Sequence, residues 1–336
     1  AVSTLEDAAA LVADDREQKM MLAANIGHLR VHTGDWKRAA EELTETAEFF
    51  EENNRDIYRT NTLLMLGLLC TRERKFMLAG RWFDKALEVI GRLELKREKV
   101  IYLELAGKLA LEKGDIYKAK ALLSSAYDRG MVLAPESTLV SQSARLLAEV
   151  ELLLDNVDDA MKYGQKALEV SLKVGETMEV GLSRRVIAQA FVAKNSFEEA
   201  IENVKGAVET VSEIGDPLET AKTLLTLADI KIKAGSKKLE KIRDAFERAR
   251  RLFAQLGLDY WVAEVDFRSG VFDCRSGDLA NGFEQLSRVE KTFVALNDKS
   301  KARAVQKFLK SLSEHAVGVS VSQENEFKIF GNLISP

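Results

Sequence analysis

Two histidines four residues apart, His28 and His32, are the first residues in this chain whose spacing could do chemistry. On a helix that separation points both imidazoles the same way, an arrangement that suits a metal ion held by ring nitrogens. The nearby carboxylate, Asp35, lies past a Gly-Asp break, so the pair reads as groove-facing or solvated histidines, with no metal. The chain has three histidines in all, and no serine or cysteine forms a recognisable nucleophile motif with one. Gly235-Ser236-Lys237-Lys238 lacks the leading glycine and the spacing of a phosphate-binding loop. The carboxylate pairs Glu41-Glu42, Asp158-Asp159 and Glu198-Glu199 are placed at helix starts, where negative charge favours the helix dipole. Cys70 reads as a small hydrophobe, and Trp36, Trp82 and Phe83 read as core. No catalytic residue and no cofactor is expected, and the chain is not expected to be an enzyme.

The elements that carry these residues repeat. Small residues recur as Gly27/Ala39/Thr46, Gly67/Ala79/Ala86, Gly107/Ala119/Ala126, Ala148/Ala160/Ala167, Ala188/Ala200/Ala207, Ala228/Ile242/Ala249 and Gly270/Gly282/Val289. Successive starts lie 40 to 42 residues apart, a period that means a solenoid of stacked helix pairs. The third unit shows the logic. Val100, Leu103, Ala106, Gly107 and Ala110 form one helical stripe, Gly114-Asp115 breaks it, and Ala119, Leu122, Leu123 and Ala126 resume it. Aspartate at such a break can cap the next helix. Glycine in mid-helix costs about 1 kcal/mol relative to alanine, so Gly27, Gly67 and Gly107 imply close helix packing, with Ala79, Ala119, Ala160 and Ala200 answering from the second helix. The second unit has Arg74-Lys75 at its break, a weaker signal, and the sixth carries extra residues around Lys237 and Lys238.

Leu66-Gly67, Phe76, Ala79, Phe83 and Ala86-Leu87 together resemble the tetratricopeptide repeat motif. So do Ala106-Gly107, Gly114-Asp115, Ala119, Leu123 and Ala126, and Phe197 to Ala200 with Ala207. The resemblance covers about residues 16 to 310; the unit is longer than the family's usual 34 residues. It looks like the long-unit subclass of bacterial signalling and transcription-activator proteins, whose Gly-Asp inter-unit segment Ile214-Gly215-Asp216-Pro217 matches. The resemblance implies an all-α, right-handed superhelical solenoid of stacked antiparallel helix pairs. It also implies that partners lie along a groove lined by first helices. The residues matching those lining positions include His28, His32, Arg72, Glu104, Lys108, Arg145, Glu149, Arg185, Gln189, Asp229, Lys233, Phe267 and Arg275, beside the apolar Ala24, Leu64, Leu68, Leu225 and Val271. Their charges are mixed with a mild basic surplus. Two readings stand level: a polar or acidic peptide ligand, or pairing within the groove such as Arg145–Glu149. The asparagine-and-lysine carboxylate clamp of chaperone-tail binders is not reproduced.

The organisation expected is a helix of a truncated upstream repeat over 1–15, seven helix-pair units over 16–298, a capping helix over 299–315 and a non-helical tail or linker over 316–336. A net charge of −4 gives no case for direct nucleic-acid contact, and no apolar run reaches the length of a membrane span. Two distant cysteines, an acidic N-terminus and no basic leader suit a cytoplasmic location. The chain starts at Ala1 without methionine, which either processing or excision from a longer protein explains. The function expected is a protein or peptide interaction scaffold binding through the concave groove. The alternative is an effector-sensing regulatory region of a larger bacterial signalling or transcription-regulator protein, with flanking domains.

Overall fold

Antiparallel helix pairs follow one another through the computed structural model, which describes residues 2–11 and 15–316. A first helix, α1 (Val2–Leu11), packs on α2 (Arg16–Thr33), which pairs with α3 (Trp36–Glu52). Then come α4 (Asp56–Arg72) with α5 (Phe76–Leu93), α6 (Lys96–Glu112) with α7 (Ile116–Leu133), and α8 (Thr138–Leu153) with α9 (Val157–Val174). They are followed by α10 (Thr177–Ala193) with α11 (Phe197–Ile214), α12 (Pro217–Lys233) and α13 (Leu239–Gln255), α14 (Asp259–Arg275) with α15 (Leu279–Ala295), and α16 (Lys299–Ala316). The described residues contain helices and no strand. The tail expected over 317–336 lies outside them, and the terminal helix ends at Ala316, one residue past the expected 315. The chain divides into two compact units, residues 1–219 and 220–336, the boundary falling in the first turn of α12.

The recurrent small residues are holes for large ones. A Cβ added at Gly27 would meet Leu43 at 2.9 Å, at Gly67 Phe83 at 2.2 Å, at Gly107 Leu123 at 2.6 Å and at Gly270 Leu286 at 3.0 Å. Each opposing residue stands sixteen positions after its glycine, so one rule serves four pairs. The knob is therefore this large side chain, seated one turn beyond the small residue that lets the helices approach. Those alanines, Ala79, Ala119 and Ala200 among them, are fully buried in their own right. Gly67→Ala is expected to destabilise unit 1 by roughly 1–3 kcal/mol through overpacking against the Phe83 ring. Gly67→Ala/Phe83→Leu should recover most of the loss in urea unfolding. A single variant as stable as wild type would show that helix propensity outweighs the clash.

The breaks use the left-handed conformation. Gly114 has φ +79°, and in the second pair Arg74 adopts φ +60° where the others have glycine or a short polar side chain. The link from α12 to α13, residues 234–238, is longer than the three-residue link after α6, as the extra lysines imply. Asp15, Asp216, Asp278 and Asp298 accept from a backbone N–H of the helix that follows, whereas Asp35 and Asp115 make no such bond. Asp158-Asp159 and Glu198-Glu199 do occupy first turns. Glu41-Glu42 do not, because α3 begins at Trp36; Glu42 instead pairs with Arg30, which also binds Glu6 of α1. Trp36 is buried and donates to the Val31 carbonyl at 2.9 Å, while Trp82 is half-buried beneath the Lys85 ammonium. Cys70 and Cys274 are buried free thiols, and burial pushes Cys70 up to about 11.

Candidate functional site

In unit 1 the first helices pack on one another as well as on their partners: α2 on α4, α4 on α6, α6 on α8 and α8 on α10. Second helices of successive pairs make no comparable contact among the described residues. The closer inner spacing leaves the first helices facing inward, and the polar side chains of this inner layer form a connected lattice.

Two arginines forty residues apart make its regular part. Arg145 on α8 reaches Glu179 in the first turn of α10, with Nε at 2.7 Å from Oε2 and Nη2 at 3.3 Å from Oε1. Its Nη1 lies 3.0 Å from Oε1 of Glu149, one turn along the same helix. Arg185 on α10 repeats the step to Glu219 in the first turn of α12, at 2.8 Å, and reaches back to Glu149 at 3.5 Å. Both arginines and both first-turn glutamates are buried. A buried guanidinium bound to carboxylates on two sides loses its proton less readily: burial opposes the charge on Arg145, but Glu179 and Glu149 raise its pKa well above the ordinary value.

The lattice closes on itself at Arg72. This last-turn residue of α4 binds Asp216, 144 positions later, through Nη1–Oδ1 at 3.2 Å and Nη2–Oδ2 at 2.8 Å. Asp216 also accepts from the Glu219 N–H at 3.1 Å, so it caps α12 while it anchors Arg72. His32 Nδ1 stands 3.0 Å from Arg72 Nη2 and 3.2 Å from Asp216 Oδ2. Arg72 Nη1 further donates to the Val31 carbonyl at 3.3 Å. The pair is 4% and 1% exposed. Burial would raise the Asp216 carboxyl, but the Arg72 charge and the bonds from His32 and Arg72 outweigh it and hold the pKa below the usual range. Surrounding protein and the Arg72 charge hold His32 below its ordinary value.

Of the residues expected to line a groove, the structure brings His28, His32, Arg72, Glu104, Lys108, Arg145, Glu149, Arg185 and Gln189 onto this layer of unit 1. His28 and Gln189 are exposed, His32, Lys108 and Glu149 are half-buried, and the others are buried. His28 and His32 lie 5.3 Å apart, ring centre to ring centre. No group of three His, Cys, Asp or Glu side chains suited to a metal occurs among the described residues. In unit 2, Asp229 binds Arg268, Arg268 Nη2 lies 3.3 Å from Glu264, and Lys301 lies 2.9 Å from that same glutamate. Lys233 and Arg275 are exposed there. Phe267 is 2% exposed in an apolar cluster with Val271, Leu286 and Phe293, because its place on α14 faces α15 and not the inner layer. Leu64, Leu68 and Leu225 are likewise buried.

Glu179, Glu219, Asp216, Glu264 and Arg268 are the members that sequence reading did not pick out. A signal existed for the first two: they stand forty apart, as Arg145 and Arg185 do. With them the expected basic surplus disappears. Within unit 1 the inner layer carries Glu104, Glu149, Glu179, Asp216 and Glu219 against Arg72, Lys108, Arg145 and Arg185.

No helix among the described residues is long and apolar enough to cross a membrane. No protein-family model matches the chain, and no curated protein matches it by sequence. Solved structures do. The chain is similar to a Rap protein complexed with Competence and Sporulation Factor, with a TM-score of 0.57 at 13% identity over 89% of this chain and 98% of that one. It is similar to the apo form of RapI, at 0.53 and 12%, over 94% of this chain and 85% of the other. It is also similar to a signal-transduction ATPase with numerous domains that has a tetratricopeptide repeat sensor, from Pyrococcus horikoshii, at 0.50 and 15%; 88% of this chain covers 44% of that one. Helix pairs in a 40-residue register, glycine holes filled sixteen residues on, and these structural neighbours together make the fold of this chain that of the tetratricopeptide-repeat proteins.

Proposed function

We propose that the chain is a non-enzymatic interaction scaffold whose inner layer in unit 1 receives a peptide or protein segment. One observation carries this reading: a polar face held in one shape by buried ion pairs still presents His28 and Gln189 to solvent. Such pre-organisation lowers the ordering cost of binding. The likeness to a Rap protein solved with Competence and Sporulation Factor supports a peptide-sized occupant. A cytoplasmic setting, without membrane or direct nucleic-acid contact, fits the reading.

Affinity capture with Gln189→Trp and with Tyr117→Ser tests it. Gln189 is exposed on the inner layer, and Tyr117 is 79% exposed on a second helix, so neither change disturbs the core. The tryptophan is expected to cost a captured partner about tenfold in affinity, or 1.4 kcal/mol, and the serine nothing. The reverse pattern would move the binding surface to the outer layer.

A second reading, an effector-sensing region of a larger bacterial signalling or transcription regulator, is favoured by the likeness to an ATPase with a repeat sensor. A gene encoding an adjoining output domain would select it.

A further inference from the structure

The ion-pair lattice of unit 1 has a missing rung. Arg145 and Arg185 stand three residues before Ala148 and Ala188, and each binds the glutamate in the first turn of the next first helix. The equivalent place on α6, three residues before Gly107, holds Glu104. The matching first-turn place on α8 holds Leu139, which is buried in an apolar cluster with Val100, Leu103 and Ala126. The step from α6 to α8 therefore has a carboxyl where a cation belongs and an apolar side chain in the opposite place. Glu104 is 6% exposed; the cations whose charge reaches it are Lys108 and Arg145, and Arg145 spends its hydrogen bonds on Glu179 and Glu149.

From this vacancy in the charge pattern we infer that Glu104 is the docking point for one cationic group, an arginine or lysine side chain, of the segment the inner layer receives. The inference rests on the proposed role of that layer and adds the chemistry of the occupant. Glu149, by register one turn further along the neighbouring helix, is already held by Arg145 and Arg185, so Glu104 is the carboxyl of this step that no guanidinium has taken.

The electrostatics around Glu104 agree. Burial raises its pKa to about 7, the Glu179 carboxylate on α10 adds to the rise, and Lys108 on α6 and Arg145 on α8 oppose it without cancelling it. An incoming positive charge favours the ionised form, so a carboxyl half-protonated at neutral pH releases its remaining proton on binding. Of the two readings of these arginines, the ion pairs favour pairing within the layer: they already bind Glu179, Glu219 and Asp216.

The test selects a displayed heptapeptide library on the wild-type chain and on the isosteric Glu104→Gln, whose fold is first checked against wild type by circular dichroism. Wild type is expected to enrich Arg or Lys at one position, and Glu104→Gln to lose that enrichment. Citrulline at that position should weaken the best peptide by about tenfold on wild type and leave it unchanged on the variant. At pH 7 the arginine peptide should also move the Glu104 carboxyl carbon resonance to its ionised value, a change that a purely structural role would not produce. Binders that Gln189→Trp abolishes but that favour acidic or neutral residues would overturn the cation assignment and leave the face assignment standing. Selection of no peptide sensitive to Gln189→Trp would overturn both.

Discussion

Arg72→Ala is expected to destabilise unit 1 by about 3–5 kcal/mol, because it leaves Asp216 buried without its counter-charge. Asp216 is 1% exposed and holds two bonds from this one guanidinium, so water does not replace the lost partner. Because the contact spans 144 residues, its loss should also release the α12 end of the unit from α4, which hydrogen exchange would report as earlier opening of the amides in the first turn of α12. Asp216→Asn should also be costly, since it strands the Arg72 guanidinium, 4% exposed, and Arg72→Ala/Asp216→Asn should cost less than the two single losses summed. Additive losses would deny the coupling. The pH dependence has a definite sign. The folded pKa of Asp216 lies below the ordinary 3.8, so its contribution is complete above that value and fades as pH falls further. His32 has a folded pKa below 6.5, so stability also declines as pH falls below 6.5, where the unfolded chain takes up a proton that the folded one resists.

Glu104→Gln is expected to act in the opposite sense and raise stability above neutral pH. The folded carboxyl titrates at about 7 against an ordinary 4.5, so between these values the folded state holds a proton the unfolded state has given up. Stability therefore falls as pH climbs through this window. At 1.36 kcal/mol per unit the penalty approaches about 3 kcal/mol at pH 8. The amide, which never ionises, escapes it. Urea unfolding of both proteins at pH 4 and pH 8 measures the difference: near zero at the lower pH and in favour of the variant at the higher. Equal stability at pH 8 would mean that Glu104 meets a counter-charge in the folded chain. A cationic peptide should supply that charge, so its addition at pH 8 is expected to narrow the gap.

Much of the architecture was legible because it is periodic. The spacing of Gly27, Gly67 and Gly107, the break at Gly114-Asp115 and the longer link near Lys237 each translate into helix ends or helix contacts without long-range information. The site was legible only in part. Gly215-Asp216 was recognised as a connector, and nothing in its neighbourhood points to Arg72. Arg145 and Arg185 were read either as ligand-binding or as paired within the groove; the Arg145–Glu149 pair is present, and the partners Glu179 and Glu219 went unseen because they lie 34 residues ahead on the next first helix. Phe267 was placed on that layer by register alone and packs instead against its partner helix.

Small side chains recurring every forty residues or so specified the helix pairs, their order and the holes they fill, since a helix contact depends on residues within one repeat length. How tightly the inner layer curves is the sum of many small rotations between neighbouring pairs, and no single repeat encodes it. That sum brings Asp216 to Arg72, buries three arginines among carboxylates and buries Glu104 near the Glu179 charge. Whether a charge on this layer is a binding group or a brace is settled by what lies opposite it across the curve.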